Sequence, residues 1–225
     1  SNDVDGVDVD KLDYLLRDSK FTGLEYGIDT NRFFEYIRII DDRICYSLNH
    51  MEFTINNIFM IRHQLHAIVY QHSVVRAFEF MYNDYMLLIS SSISVNNDIT
   101  LFLKLSDDIF TETFIDLQYN LKKISLKEYT SALHLLRRIN SRLIYKCIVD
   151  KKFKKCFDIQ ENTPHYIMDV VKIGYETNPL YNVTLYDREY KKIKLNDSSA
   201  SKMFPKNSKD FIYRIYDKAG GKDAQ

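Results

Sequence analysis

Apolar positions along this chain recur first with a helical period and later with a strand-like one. Over residues 8–20, at about 100° per residue, Lys11, Tyr14 and Asp18 fall within about 100° of Asp10, while Leu12, Leu15 and Leu16 gather on the opposite arc. Helical patterns follow over 29–40, 53–89, 107–119 and 125–143. The segment 53–89 has no Gly or Pro and carries Ile55, Ile58, Phe59, Ile61, Leu65, Ile68 and Val69 at near-helical spacing, which predicts one long, largely buried helix. A polar run over 95–98 separates helices. From Ile144 short alternating runs predict strands over 145–149, 166–175, 182–186, 191–195 and 211–216, with turns at Asp150-Lys151-Lys152 and Asp187-Arg188-Glu189. The fold class is α+β: a mainly helical lobe over 3–143, a smaller mixed-sheet lobe over 144–218, and a tail over 219–225.

The polar positions on the helices carry the candidate chemistry. Alone, the Asp10, Lys11, Tyr14 and Asp18 face reads as the solvated side of an ordinary surface helix. On the long buried helix, however, Arg62, His66 and Tyr70 stand at i, i+4 and i+8 along one stripe. A cation, an imidazole and a phenol there must be hydrogen-bonded internally or line a polar pocket, because burying each without a partner costs several kcal/mol, on the order of 2–7.

Asp8-Val9-Asp10-Lys11 with Tyr14 and Asp18, followed by Arg62-x-x-Leu65-His66-x-x-x-Tyr70-Gln71-His72, resembles the HD-domain deoxynucleoside triphosphate triphosphohydrolases, above all the eukaryotic group that joins a sterile-alpha-motif domain to an HD domain. Collinear shorter matches extend the resemblance: Asn31 to Phe34 with Arg38, Arg43 to Cys45, Leu105 to Phe110, Arg142 to Lys146, Asn178-Pro179, Lys202 to Pro205 and Arg214 to Tyr216. The resemblance implies an HD-type helical lobe and metal-dependent hydrolysis of a deoxynucleoside triphosphate to deoxynucleoside and triphosphate. It implies Asp10 as a ligand of a divalent metal, with Mg, Mn, Fe and Zn not distinguished. Lys11 and Arg62 are implied on the phosphates, Tyr14 on the deoxyribose, and Asp18 as acceptor of the 3′-hydroxyl. His66 is placed beside the phosphate chain, and Tyr70 with Gln71 near base and sugar. The residue types suit these tasks: guanidinium and amine neutralise a triphosphate, and a carboxylate accepts from a hydroxyl.

The sequence departs from the family pattern in two respects. The family draws its other metal ligands and its acid/base histidines from an upstream His and a His-Asp pair, whereas this chain has no His-Asp dipeptide and its first histidine is His50. The expectation is therefore a chain matching the carboxy-terminal part of such an enzyme, catalytically incomplete, with no catalytic acid/base residue of its own and with the upstream HD half as a partner. Second, Arg38, Arg142 and Lys146 match part of the family's basic effector set, but Ser47, Asn49, Ile68 and Ser73 stand where the family has cations, which puts effector control in doubt and leaves homo-oligomerisation as the expectation. The alternative is a non-catalytic nucleotide-binding or oligomeric assembly module that lacks the metal site.

Composition narrows the field further. In 225 residues, 45% hydrophobic, there is material for a sizeable core. Thirty-one basic and thirty-one acidic side chains cancel, so no net field draws the molecule to nucleic acid or an anionic membrane, and the lysines around Phe153 read as a solvated turn. No apolar run approaches a membrane-spanning length, and Cys45, Cys147 and Cys156 lack Cys-x-x-Cys spacing, which favours reduced thiols and an intracellular, cytoplasmic or nuclear, setting.

Overall fold

Asp8 opens the first helix because its carboxylate accepts the Lys11 backbone N–H at 2.8 Å, satisfying a donor that the helix cannot pair internally. Helix α1 runs Val9–Thr22 and stops at Gly23, whose left-handed φ of 71° lets its N–H reach the Ser19 and Lys20 carbonyls. The computed structural model describes residues 5–24, 26–93, 99, 103, 105–153, 163–195 and 207–220. The 95–98 break, Cys156 and the Lys202 to Pro205 match lie outside the described residues.

The next helix is shorter than the apolar pattern predicts. Asp29 caps α2, Thr30–Glu35, and the expected continuation to residue 40 is instead a hairpin, β1 (Ile37–Ile40) and β2 (Arg43–Ser47). Its turn is Asp41-Asp42 with φ of 45° and 57°, the left-handed pair that a tight two-residue hairpin needs and that Asp tolerates. Ile37, Ile39, Ile40 and Ile44 are β-branched, which favours the strand over a helix tail.

The long helix is also divided. Helix α3 covers Leu48–Leu65, a π-helical turn covers His66–Tyr70, and α4 covers Ser73–Ile89. No Gly or Pro marks the break; the wider turn ends at Gln71, whose φ of −104° and ψ of 21° leave helical geometry. Further on come a 3₁₀ turn at Asp107–Phe110, α5 (Glu112–Asn120), and α6 (Leu126–Asn140) behind a Ser125/Glu128 capping box. Strands β3 (Lys146–Phe153), β4 (Tyr166–Ile173), β5 (Thr184–Tyr186), β6 (Lys192–Lys194) and β7 (Asp210–Asp217) follow among the described residues, with a 3₁₀ turn at Pro179–Asn182. About half the chain is helical and about a fifth is strand, so the α+β class holds.

Residue contacts divide the chain into two compact units. The first comprises Ser1–His72, Lys152–Phe157 and Val170–Ile212. Its core joins Leu12 and Leu15 of α1 to Met51, Ile55, Ile58, Phe59, Ile61 and Leu65 of α3 and to Leu180, Val183 and Leu185. A four-stranded mixed sheet ordered β1-β2-β5-β6 belongs to it, with β2 and β5 parallel (Tyr46 opposite Leu185) and the other pairs antiparallel. The buried run Thr184–Tyr186 suits this inner position.

The second unit comprises Ser73–Lys151, Asp158–Asp169 and Tyr213–Gln225. There α4 packs on α6, burying Ala77, Met81, Tyr85 and Ile89 with Ala132, Leu135, Leu136 and Ile139. Arg76 forks onto the buried Asp169 carboxylate at 2.8 and 3.0 Å. The three-stranded sheet, which belongs to neither unit alone, has the order β3-β7-β4. None of the helices among the described residues is long and apolar enough to cross a membrane.

Candidate nucleotide site

The first unit brings most of the sequence-predicted site residues onto two elements, α1 and the α3/π-turn segment, which pack against each other. The buried leucine arc of α1 seats the helix on α3 and leaves Lys11, Tyr14 and Asp18 half-buried at the same contact. Tyr70 donates a hydrogen bond to the Asp18 Oδ2, and its ring meets that of Tyr14 edge-on at 6.5 Å. Burial and then this hydrogen bond hold the Tyr70 phenol well above its ordinary pKa, so it is a neutral donor.

Two turns and more back, on α3, Arg62 donates to the Tyr175 hydroxyl at 3.0 Å and lies 5.4 Å from that ring's centre. Burial pulls the Arg62 pKa down, but the neighbouring Tyr175 phenol, and then that of Tyr14, outweigh it, so the guanidinium stays fully charged. Lys11 donates to the Gly6 carbonyl, and burial, reinforced by Arg62, lowers its pKa against the opposing pull of Asp8. Lys11, Arg62 and Tyr175 line a pocket of about 270 Å³ together with Asp5, Phe59 and Asn182. Two carboxylates line it as well, but Glu176 is paired with Lys209 and Asp5 accepts the Val7 N–H, so Lys11 and Arg62 are the cations placed to take an anion.

His66 sits half-buried one turn beyond Arg62, with its pKa lowered by burial and then by Arg62 and His63, which makes it a neutral imidazole at pH 7. His63 is lowered mainly by burial, and its buried Nδ1 has no hydrogen-bond partner among the described residues. Gln71 ends the π turn, its backbone N–H bonded to the His66 carbonyl at 3.0 Å.

Asp10 is placed differently. It is exposed in the first turn of α1 and lines a separate, mostly apolar hollow of about 530 Å³ with Val9, Phe33, Phe34, Ile39 and Ile44. Among the described residues no group of three or more His, Cys, Asp or Glu side chains stands close enough to hold a metal, so the donor set here does not fit a resident ion by itself. Of the expected basic effector residues, Arg38 lies in β1 of the first unit and donates to the Glu35 and Ile37 carbonyls at 2.8 and 2.7 Å. Arg142, with φ of 58°, and Lys146, at the head of β3, belong to the second unit, and both are exposed.

Sequence reasoning missed Tyr175 and Phe59, whose rings meet edge-on at 6.0 Å behind Arg62. The sequence signal for Tyr175 was the glycine before it. Gly174 has φ of 86°, and a Cβ there would overlap the Ser208 carbonyl. Tyr175 in turn exchanges two hydrogen bonds with Ser208, each 3.0 Å.

No protein-family model matches the chain. Its curated relatives are deoxynucleoside triphosphate triphosphohydrolases and a viral HD domain protein, matched over most of the chain at 24–31% identity. In particular, the chain is similar to the triphosphohydrolase SAMHD1 homolog of Dictyostelium discoideum, at 31% identity over 77% of this chain and 32% of that protein. It is 24% identical to human SAMHD1 over 96% of this chain and 40% of the relative. With the putative HD domain-containing protein L394 of Acanthamoeba polyphaga mimivirus the identity is 29%, over 81% of this chain and 40% of the relative. The chain therefore spans 32–40% of the length of these relatives.

Proposed function

We propose that this chain forms the sugar- and phosphate-reading wall of a metal-dependent hydrolase that converts a deoxynucleoside triphosphate into the deoxynucleoside and inorganic triphosphate. The supporting observation is the division of labour along α1 and α3: two cations, Lys11 and Arg62, share one pocket, while two turns along α1 the Asp18 carboxylate sits as a hydroxyl acceptor. Seven residues of helix span about 10 Å, on the scale of the reach from a nucleotide's sugar to its outer phosphates.

In this reading Lys11 and Arg62 hold phosphate oxygens, His66 adjoins the phosphate chain, and Tyr14 packs where a 2′-hydroxyl would stand. Asp18 accepts from the 3′-hydroxyl, and Tyr70 with Gln71 borders sugar and base. Asp10 gives one carboxylate to a divalent ion whose other ligands come from an upstream HD half. The working protein is a homo-oligomer of the cytoplasm or nucleus, with Arg38, Arg142 and Lys146 available to an anionic effector.

The test is a pair of measurements. Deoxynucleoside triphosphates are titrated into the isolated chain by calorimetry, and triphosphate release is followed with the chain alone and with the chain joined to the unmatched remainder of the Dictyostelium relative. Arg62-dependent binding by the chain, with turnover only in the joined protein, is expected. Turnover by the chain alone would sink the assignment of catalysis to residues outside it. Binding without turnover in the joined protein would favour the non-catalytic module.

A further inference from the structure

We infer that Tyr175 is a positioning residue for the Arg62 guanidinium, fixing the direction in which it meets phosphate. The inference rests on the reading that Arg62 receives the anion, and it deepens that reading by adding a residue from a distant part of the chain.

Three observations carry it. The Tyr175 hydroxyl takes the Arg62 Nη1 hydrogen at 3.0 Å, and the centre of the same ring lies 5.4 Å from the Arg62 Cζ, within cation–π range, so one side chain holds the guanidinium through two kinds of contact. The ring itself is held: Phe59, only 3% exposed and on the same helix as Arg62, meets it edge-on at 6.0 Å. The backbone beneath it is held too, by the paired Ser208 hydrogen bonds and by the positive φ at Gly174.

The choice of partner matters chemically. Among the described residues Arg62 has no carboxylate within ion-pair distance, and its side-chain hydrogen bond goes to the phenol of Tyr175. A carboxylate would orient the guanidinium but cancel much of its charge. A phenol orients it and leaves the full charge for an incoming anion, and it lowers the entropy lost when the arginine is immobilised by ligand.

The test uses the full chain with Tyr175→Phe, which removes the hydroxyl and keeps the ring, beside Arg62→Ala and the double variant. ¹⁵N relaxation of the Arg62 Nε–Hε group reads its order without any ligand, and calorimetry with inorganic tripolyphosphate reads affinity. Expected are an ordered Arg62 in the parent and a mobile one in Tyr175→Phe, at an unchanged melting temperature. Tripolyphosphate affinity should fall about three- to tenfold, and Tyr175→Phe should add nothing in the Arg62→Ala background. Phe59→Leu, which loosens the ring but keeps the hydroxyl, should give intermediate mobility and supplies the same readout if Tyr175→Phe fails to fold. Unchanged Arg62 order in the variants, or additive losses in the double variant, would overturn the inference. If the parent binds no tripolyphosphate while Arg62 order still depends on Tyr175, the positioning stands and the nucleotide reading fails.

Discussion

Tyr70 and Asp18, 52 residues apart in the chain, are joined by a hydrogen bond from phenol to carboxylate, so the acceptor proposed for the sugar hydroxyl is already engaged on one oxygen. Its other oxygen has Arg17 at 3.6 Å, an exposed pair that contributes little. A 3′-hydroxyl would therefore compete with Tyr70 or share the remaining lone pairs. Tyr70→Phe should strengthen discrimination of a deoxynucleotide over its 2′,3′-dideoxy analogue, whereas Asp18→Asn should weaken it. Competition binding with the two nucleotides decides the matter, and the reverse order would mean that Asp18 does not read the sugar.

The same phenol predicts behaviour at alkaline pH. Tyr70 is raised by burial and by Asp18, Tyr145 by burial and by Asp84, Tyr216 by burial, and Tyr85 to about 12 by burial. Each folded value lies above the unfolded one of about 10. Their stabilising contribution is thus complete below pH ~10 and is lost as pH rises through the folded values. Of the 17 tyrosines, a subset should ionise only in a cooperative step that coincides with unfolding, followed by absorbance at the phenolate band together with circular dichroism. A smooth titration of all tyrosines in a still-folded protein would contradict these burials.

On the acid side, His63 and His66 have folded pKa values held below about 6.5, chiefly by burial. The sign is opposite to that of the phenols. Stability is present above pH ~6.5 and is lost as pH falls through the folded values, because the unfolded chain binds protons more readily. His66→Gln should flatten the melting-temperature profile between about pH 5 and 7. A profile as steep as the parent's would place the proton uptake elsewhere.

Tyr14 and Arg62 are expected to separate sugar preference from phosphate affinity. Tyr14→Ala in the joined protein should narrow the kcat/KM gap between deoxynucleotides and ribonucleotides, since steric rejection disappears with the ring. Arg62→Ala should weaken both classes alike. If Arg62→Ala alters sugar preference and Tyr14→Ala does not, the proposed orientation of the nucleotide is reversed.

Gly174→Ala should be costly although the added group is small. The new Cβ would run into the Ser208 carbonyl at a backbone conformation that L-residues rarely adopt. A loss of roughly 1–3 kcal/mol is expected from the strain, more if the two segments separate. Urea denaturation measures it, and tripolyphosphate titration should show a parallel loss as Tyr175 shifts. A neutral substitution would show that the Ser208 segment yields easily.

How much was legible beforehand depends on how local the cause is. Helix α1 was readable because Asp8 caps it and its leucines repeat every three or four residues; the expected span 8–20 became Val9–Thr22. The hairpin over 37–47 was not, because a short isoleucine-rich run fits helix and strand alike and its pairing partner β5 lies at 184–186. The π turn at His66–Tyr70 has no compositional mark at all. In the site, Lys11, Tyr14 and Asp18 share one helical stripe and Arg62 and Tyr70 another, but only the family resemblance joined the two stripes. Tyr175 carries only the preceding glycine as a mark, and nothing in the sequence ties it to Arg62, since its position is set by Ser208. Helical spacing likewise grouped Asp10 with Lys11 but could not show that the two line different hollows.

The parallel pairing of β2 with β5 has a consequence for how the protein is made. The first compact unit closes only when a strand near residue 45 meets one near residue 185, with the whole Ser73–Lys151 stretch synthesised in between. Such a non-local closure carries a large loop-entropy cost before it is rewarded, and it slows folding. A nascent chain released at residue 143 would carry Lys11, Asp18 and Arg62 but lack Tyr175 and the β5 strand that covers β2. It would emerge with an open sheet edge and exposed core side chains, a substrate for chaperones rather than a shorter nucleotide binder.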